Sequence, residues 1–353
     1  MLLTDAKDAL DKVISKGRVH LYKPTQIAEV LYHHRLGEIS DLNDLDQYRT
    51  QSRHWRDEVS NMLVGRASSS SSRYQDDVFN DNAVPPNFIA ELGKVNKEGN
   101  GVVEAYIYSK FNARHGQMRA VLEYASGTSP EDFMLEHFLN MFWSSPGLRR
   151  SIDKVYEAVV YALFDSLVNA LNATVTLSIE ESKRYLVEEY AEFAKIVLGV
   201  TPNELECKRK ASLYRVGVTN ASDRGLDMWA NFGPAVQVKH LTLDLDLAED
   251  VVGEIMADRV VIVCRDCDKD TLDSIMRQIG WGSRVQGIIT QSQLVKWYEK
   301  ALRGSYSSET ADVILKTLIT ELSTEFPLVD EFSNFWTSRK YDQIKLEGIW
   351  TLE

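Results

Sequence analysis

The chain has 353 residues, enough for one large domain or two to three ordinary ones. With 44% apolar residues it can bury a substantial core, and a net charge of −12 argues against a simple basic nucleic-acid coat. Residues 1–150 carry 18 Lys+Arg against 20 Asp+Glu and residues 151–353 carry 22 against 32, so the acid sits mostly in the second half. The N-terminus, Met1 to Lys7, lacks the basic-then-apolar pattern of a signal peptide. No stretch approaches the ~20 uninterrupted apolar residues of a membrane span. The longest candidate, 155–171, is interrupted by Glu157 and Asp165. Three cysteines make at most one disulfide, and the expectation is a reduced, cytoplasmic protein.

The first 65 residues read as helical. Thr4 can cap a helix carrying Leu10, Val13 and Ile14, with Gly17 as its stop. Pro24 suits the first turn of a second helix with Ile27, Val30 and Leu31 on one face. A third helix follows around 44–64, and its C-terminal neighbour is a tract of five serines, 68–72, read as a mobile loop or linker. Residues 101–109 look like a strand, 110–119 like a loop, and 130–172 like two helices broken at Ser144-Ser145-Pro146-Gly147. Ser178 and Glu181 have capping-box spacing, opening a helix with Leu186, Tyr190, Phe193 and Val197 on one stripe and Gly199 at its end. Strand-like runs then crowd together at 213–219, 226–232 and 235–243, the last two joined by a turn at Gly233-Pro234. A buried-looking strand at 259–264, a helix at 270–279, a strand at 285–289 and a helix at 291–302 complete the pattern. The expectation is an α+β chain: a mainly helical region 1–172 for DNA recognition or dimerisation, a catalytic core 173–305 with a mixed sheet flanked by helices, and a helical extension 306–353.

Chemistry enters with Asp227, followed after nine residues by Gln237-Val238-Lys239. Hydrolysing a phosphodiester needs a divalent cation on the phosphate, an attacking hydroxide and positive charge for the pentacovalent state. An acid on one strand and an acid or amide oxygen on the next can hold Mg²⁺ through hard oxygen ligands. Side chains two apart on a strand share a face, so Gln237 and Lys239 point together towards Asp227. Val236 and Val238 then point into the core. The same acid-or-amide, any, Lys pattern recurs at Asp5, Glu181, Glu206 and Gln343, but only Gln237 lies mid-strand in an apolar run with a hairpin partner bearing Asp227. A half-buried strand with polar residues facing solvent is the alternative reading.

The stretch from Gly225 to Leu243 resembles the catalytic hairpin of the PD-(D/E)xK nuclease superfamily over about 175–305. More narrowly, the chain resembles HaeII-type type II restriction endonucleases over most of its length. Leu226 stands where the superfamily motif has Pro, and Gln237 where it has an acid, which removes one negative metal ligand. The superfamily often adds a Glu from the preceding helix, and Glu189, at the edge of the Leu186–Phe193 stripe, is the candidate. The resemblance implies a Mg²⁺-dependent homodimer that cuts double-stranded DNA at a short palindrome, RGCGCY, protected by a cognate methyltransferase. Arg114, Gln117 and Arg119 are residue types that read base edges, and Lys208, Arg209 and Lys210 could grip phosphates. Two other readings stay open: a DNA-binding protein on a nuclease fold disabled by Gln237, and a repair or recombination nuclease selecting DNA structure. Cys264 and Cys267 have zinc-like spacing without a second pair, so they are read as core and loop cysteines.

Overall fold

A computed structural model describes residues 2–67, 78–216, 226–242, 257, 259–266 and 285–352. The serine tract 68–72, the helix expected at 270–279 and Cys267 lie outside the described residues. The chain divides into two compact units. One comprises Met1–Val155 with Ile319–Glu353, and the other Tyr156–Gly217 with Ser222–Leu318. Among the described residues no helix is long and apolar enough to cross a membrane.

The first unit is helical: α1 (Leu2–Lys16), α2 (Tyr22–Arg35), α3 (Gln51–Val64), α4 (Pro86–Glu98), α5 (Val102–Gly127) and α6 (Leu135–Ser144). The expected stripes are buried, Leu10, Val13 and Ile14 on α1 and Ile27, Val30 and Leu31 on α2. The run 101–109 is not a strand but the start of α5. Val103, Ala105, Ile107 and Tyr108 are wholly buried there, so the segment is apolar all round because the core surrounds it, and its β-branched content misleads. Residues 110–119 continue the same helix rather than forming a loop.

A buried polar network ties the C-terminal residues to this unit. Arg35 holds Glu104 through two bonds of 2.9 and 2.7 Å, and Asn96 and the Tyr341 hydroxyl donate to the same carboxylate at 2.6 and 2.8 Å. Tyr108 and Arg339 donate to Glu29 at 2.6 and 2.9 Å. Buried carboxylates survive only when so satisfied.

The second unit opens with the rest of α7 (Ile152–Ala170) and carries two sheets. In the smaller one, β1 (Thr174–Ser178) pairs antiparallel with β2 (Glu206–Lys210). Between them lie α8 (Arg184–Glu189), a turn at Ala191–Phe193 and a π-helical turn at Ala194–Leu198. Ser178 therefore ends a strand instead of capping a helix, and the Glu181 carboxylate pairs with Arg184 at 2.6 Å. Lys208, Arg209 and Lys210 lie on β2.

The larger sheet has the order β3-β4-β5-β6-β7, with β3 (Leu213–Arg215), β4 (Met228–Ala230), β5 (Pro234–Thr242), β6 (Arg259–Arg265) and β7 (Val285–Thr290). The first three form an antiparallel meander, and β6 and β7 run parallel to β5. Val260, Ile262, Val263 and Cys264 of β6 are wholly buried, as a strand flanked on both sides by parallel neighbours requires. A capping box at Thr290 and Gln293 then starts α8's successor α9 (Gln291–Arg303). Its Tyr298 hydroxyl donates to the Val159 carbonyl of α7 at 2.8 Å. The fold class is α+β, as read from the sequence. Two further helices, α10 (Ala311–Glu325) and α11 (Phe332–Ser338), follow.

Candidate active site

Asp227 immediately precedes β4, and Gln237 and Lys239 lie on β5. The turn joining the strands needs Gly233, whose φ of 116° is unfavourable for any side chain, and Pro234 begins β5 where its lack of an N–H is tolerated. Met228 pairs with Val236, and Trp229 with Ala235. The same register sets Asp227 across from Gln237, and alternation puts Lys239 on that face too. Val236 and Val238 occupy the opposite face and are buried, as expected.

Two backbone bonds fix the acid. The Val216 N–H donates to the Asp227 carbonyl at 2.8 Å, tying it to the end of β3. The Val238 N–H, between Gln237 and Lys239 in the chain, donates to the Asp227 carboxylate at 2.7 Å and orients it against β5. Gln237 is only 3% exposed, yet its side-chain carbonyl oxygen has no hydrogen-bond partner among the described residues. A buried acceptor left unsatisfied costs ~1–3 kcal/mol, so it marks a place where a donor or a cation belongs. Lys239 is half-buried beside it. The regular pairing of β5 with β6 also shifts after Val238, so the ladder is irregular where Lys239 stands. Such irregularities recur next to active sites, where they re-aim a side chain.

Hard oxygen atoms from Asp227 and Gln237 with an ammonium on one face are the donor types that could hold a hard divalent cation. A hard cation of this kind keeps waters and substrate phosphate oxygens around one or two protein ligands, a number that Asp227 and Gln237 could supply.

Comparison with known proteins decides the family. A profile for the HaeII restriction endonuclease matches residues 6–341. The chain is 51% identical to the type II restriction enzyme NgoBI of Neisseria gonorrhoeae over 340 residues, 96% of each chain. It is 48% identical to the type II restriction enzyme HaeII of Haemophilus aegyptius over 340 residues, covering 96% of this chain and 97% of that one. The chain belongs to the HaeII restriction endonuclease family. No solved structure matches it. It is accordingly a type II site-specific deoxyribonuclease, and its substrate is double-stranded DNA.

The other residues singled out in this restriction endonuclease are placed less uniformly. Glu189 ends α8 and is exposed on the segment between β1 and β2. Among the described residues no hydrogen bond joins it to the hairpin. The acid that sequence reading passed over is Glu157. It is buried on α7 and pairs with Arg215 of β3 at 3.3 Å, one residue from Val216 that holds Asp227. Its signal was present: a charge inside an otherwise apolar helical run has to be paired. Arg114 is buried and spends its guanidinium on the carbonyls of Ile14, Gly17 and Arg18, at 2.7, 2.6 and 3.2 Å, where α1 ends. Burial pulls its pKa down to about 10. Gln117 is half-buried, whereas Arg119 is exposed and paired with Asp330. Lys208 and Lys210 are exposed on one face of β2, opposite Thr176 and Thr174 of β1. Arg209, on the other face, donates to Cys207 Sγ at 3.3 Å.

Proposed function

We propose that this enzyme hydrolyses both strands of DNA with Mg²⁺ at the Asp227–Gln237–Lys239 face, acting as a homodimer on a palindrome. The observation that carries the proposal is the buried, unpartnered Gln237 oxygen on the same strand face as an oriented Asp227 and a half-buried Lys239. Asp227 and Gln237 would hold the Mg²⁺, which when bound supplies Lewis-acid polarisation of a phosphoryl oxygen. Lys239 favours the deprotonated form of the attacking water and counters the charge that grows on the phosphorane oxygens. Attack forms a P–O bond to water and breaks the bond to the departing ester oxygen.

A single site cuts one strand, and a palindrome presents two equivalent bonds related by a two-fold axis, which supports a C2 dimer. Likeness to the HaeII restriction endonucleases points to RGCGCY as the target and to a cognate methyltransferase acting on the same sequence in the cytoplasm. Lys208, Arg209 and Lys210 supply positive charge for phosphates, and Arg119 is the candidate for base contact. The test is digestion of a plasmid carrying a single RGCGCY site, with Mg²⁺ or with EDTA. One linear product that appears only with Mg²⁺, and not from a plasmid with an altered site, is expected. Cutting in EDTA, cutting elsewhere, or nicking that follows DNA structure would overturn the proposal.

A further inference from the structure

The segment Thr174–Lys210 keeps small side chains inside and large ones outside. Its own core consists of Val187, Ala194 and Val200, with Ile179, Leu198, Leu205 and Cys207 partly buried against it. Outside stand Tyr185, Leu186, Tyr190, Phe193, Ile196 and Val197, each between 42% and 72% exposed. A two-stranded sheet over so small a core is marginal in water. The arrangement makes physical sense only when something permanent covers the outer residues.

We infer that the cover is a second copy of this chain, whose own Tyr185–Val197 face packs against this one across a two-fold axis. The inference rests on the dimeric reading above and locates its interface. Six half-exposed side chains, three of them aromatic, present on the order of 600 Å². That is at the limit of what a monomer leaves in one patch and close to the ~800 Å² per partner of a standard interface. The surrounding charges fit self-association. Lys183 and Lys195 are interspersed with Glu188, Glu189 and Glu192, all exposed. A surface that meets itself needs both signs. DNA fits worse, because around this face three carboxylates outnumber two lysines, and the basic run Lys208–Lys210 lies apart from it on β2.

Sedimentation equilibrium of the full-length protein tests this. The double variant Phe193→Glu, Ile196→Glu should weaken the dimer at least ~100-fold, while Tyr306→Glu, an equally exposed aromatic outside the patch, should leave it unchanged. A second pair guards against a misfolded variant. Lys183→Glu with Lys195→Glu, and separately Glu188→Lys with Glu192→Lys, should each weaken self-association, and mixing the two should restore a dimer. A wild-type dimer that persists in the double variant overturns this interface but leaves the dimeric reading standing. A wild type that is monomeric both free and on its DNA overturns both. A monomer whose DNA affinity falls in the double variant would make DNA the occupant and also overturn the inference.

Discussion

In the proposed site an amide at position 237 keeps an oxygen ligand beside Asp227 while removing a negative charge, so Asp227 and the substrate phosphate would supply the anionic ligands. That arrangement makes metal binding depend on DNA more than a two-carboxylate site would. Burial without a partner makes the same residue expensive in the empty protein, a local strain typical of functional positions. Arg114 illustrates the opposite case, a residue type suited to bases but consumed by structure. Arg114→Ala strands three carbonyls at the end of α1 and should cost about 2–4 kcal/mol in urea denaturation. Arg119→Ala breaks only an exposed pair and should cost under ~1 kcal/mol of stability. If Arg119 contacts a base, its loss weakens specific binding by ~1–3 kcal/mol with little change in non-specific affinity. Normal stability of Arg114→Ala together with lost sequence preference would contradict this division.

Among the elements, the five-stranded sheet was legible because its alternation and turn residues agree. Val236 and Val238 face where period two puts them, the continuous apolar run Val260–Cys264 is the buried strand it looks like, and Gly233-Pro234 marks the hairpin. Two elements were not legible, for different reasons. Val102–Tyr108 carries strand-forming residues in the fully buried start of a helix, and periodicity cannot separate those cases. Leu186, Tyr190, Phe193 and Val197 recur at helical spacing, which predicts a buried stripe, but in a single chain they are exposed. The helical unit also carries a pH dependence that composition hides. His20 and His115 lie 5.8 Å apart between rings, and burial lowers their pKa values to about 3 and about 4. Each folded pKa lies below the unfolded value of 6.5, so the unfolded chain takes up protons first as pH falls. Their contribution is present above pH 6.5 and is lost down through the folded values, at roughly 1–2 kcal/mol per pH unit per proton. Urea midpoints should therefore fall between pH 7 and pH 5, and less steeply in His115→Phe. Identical slopes in the two proteins would contradict neutral burial of His115.

For the molecule as a whole, a net charge of −12 is compatible with DNA binding because binding responds to local charge, such as Lys208 and Lys210 on β2. In the larger sheet the hairpin acid Asp227 is oriented by the backbone of the neighbouring strand. In the proposed function, Asp227, Gln237 and Lys239 of this hairpin carry the cutting chemistry. The most direct measurement is single-turnover cleavage of an RGCGCY duplex with Mg²⁺, alongside its binding affinity in Ca²⁺, for Asp227→Ala, Lys239→Ala, Gln237→Ala and Gln237→Glu. The three alanine variants should bind within a few-fold of wild type but cut at least ~100-fold more slowly. Gln237→Glu should remain active with a changed dependence on metal concentration. Cleavage by Asp227→Ala or Lys239→Ala at more than a few per cent of the wild-type rate would contradict this assignment.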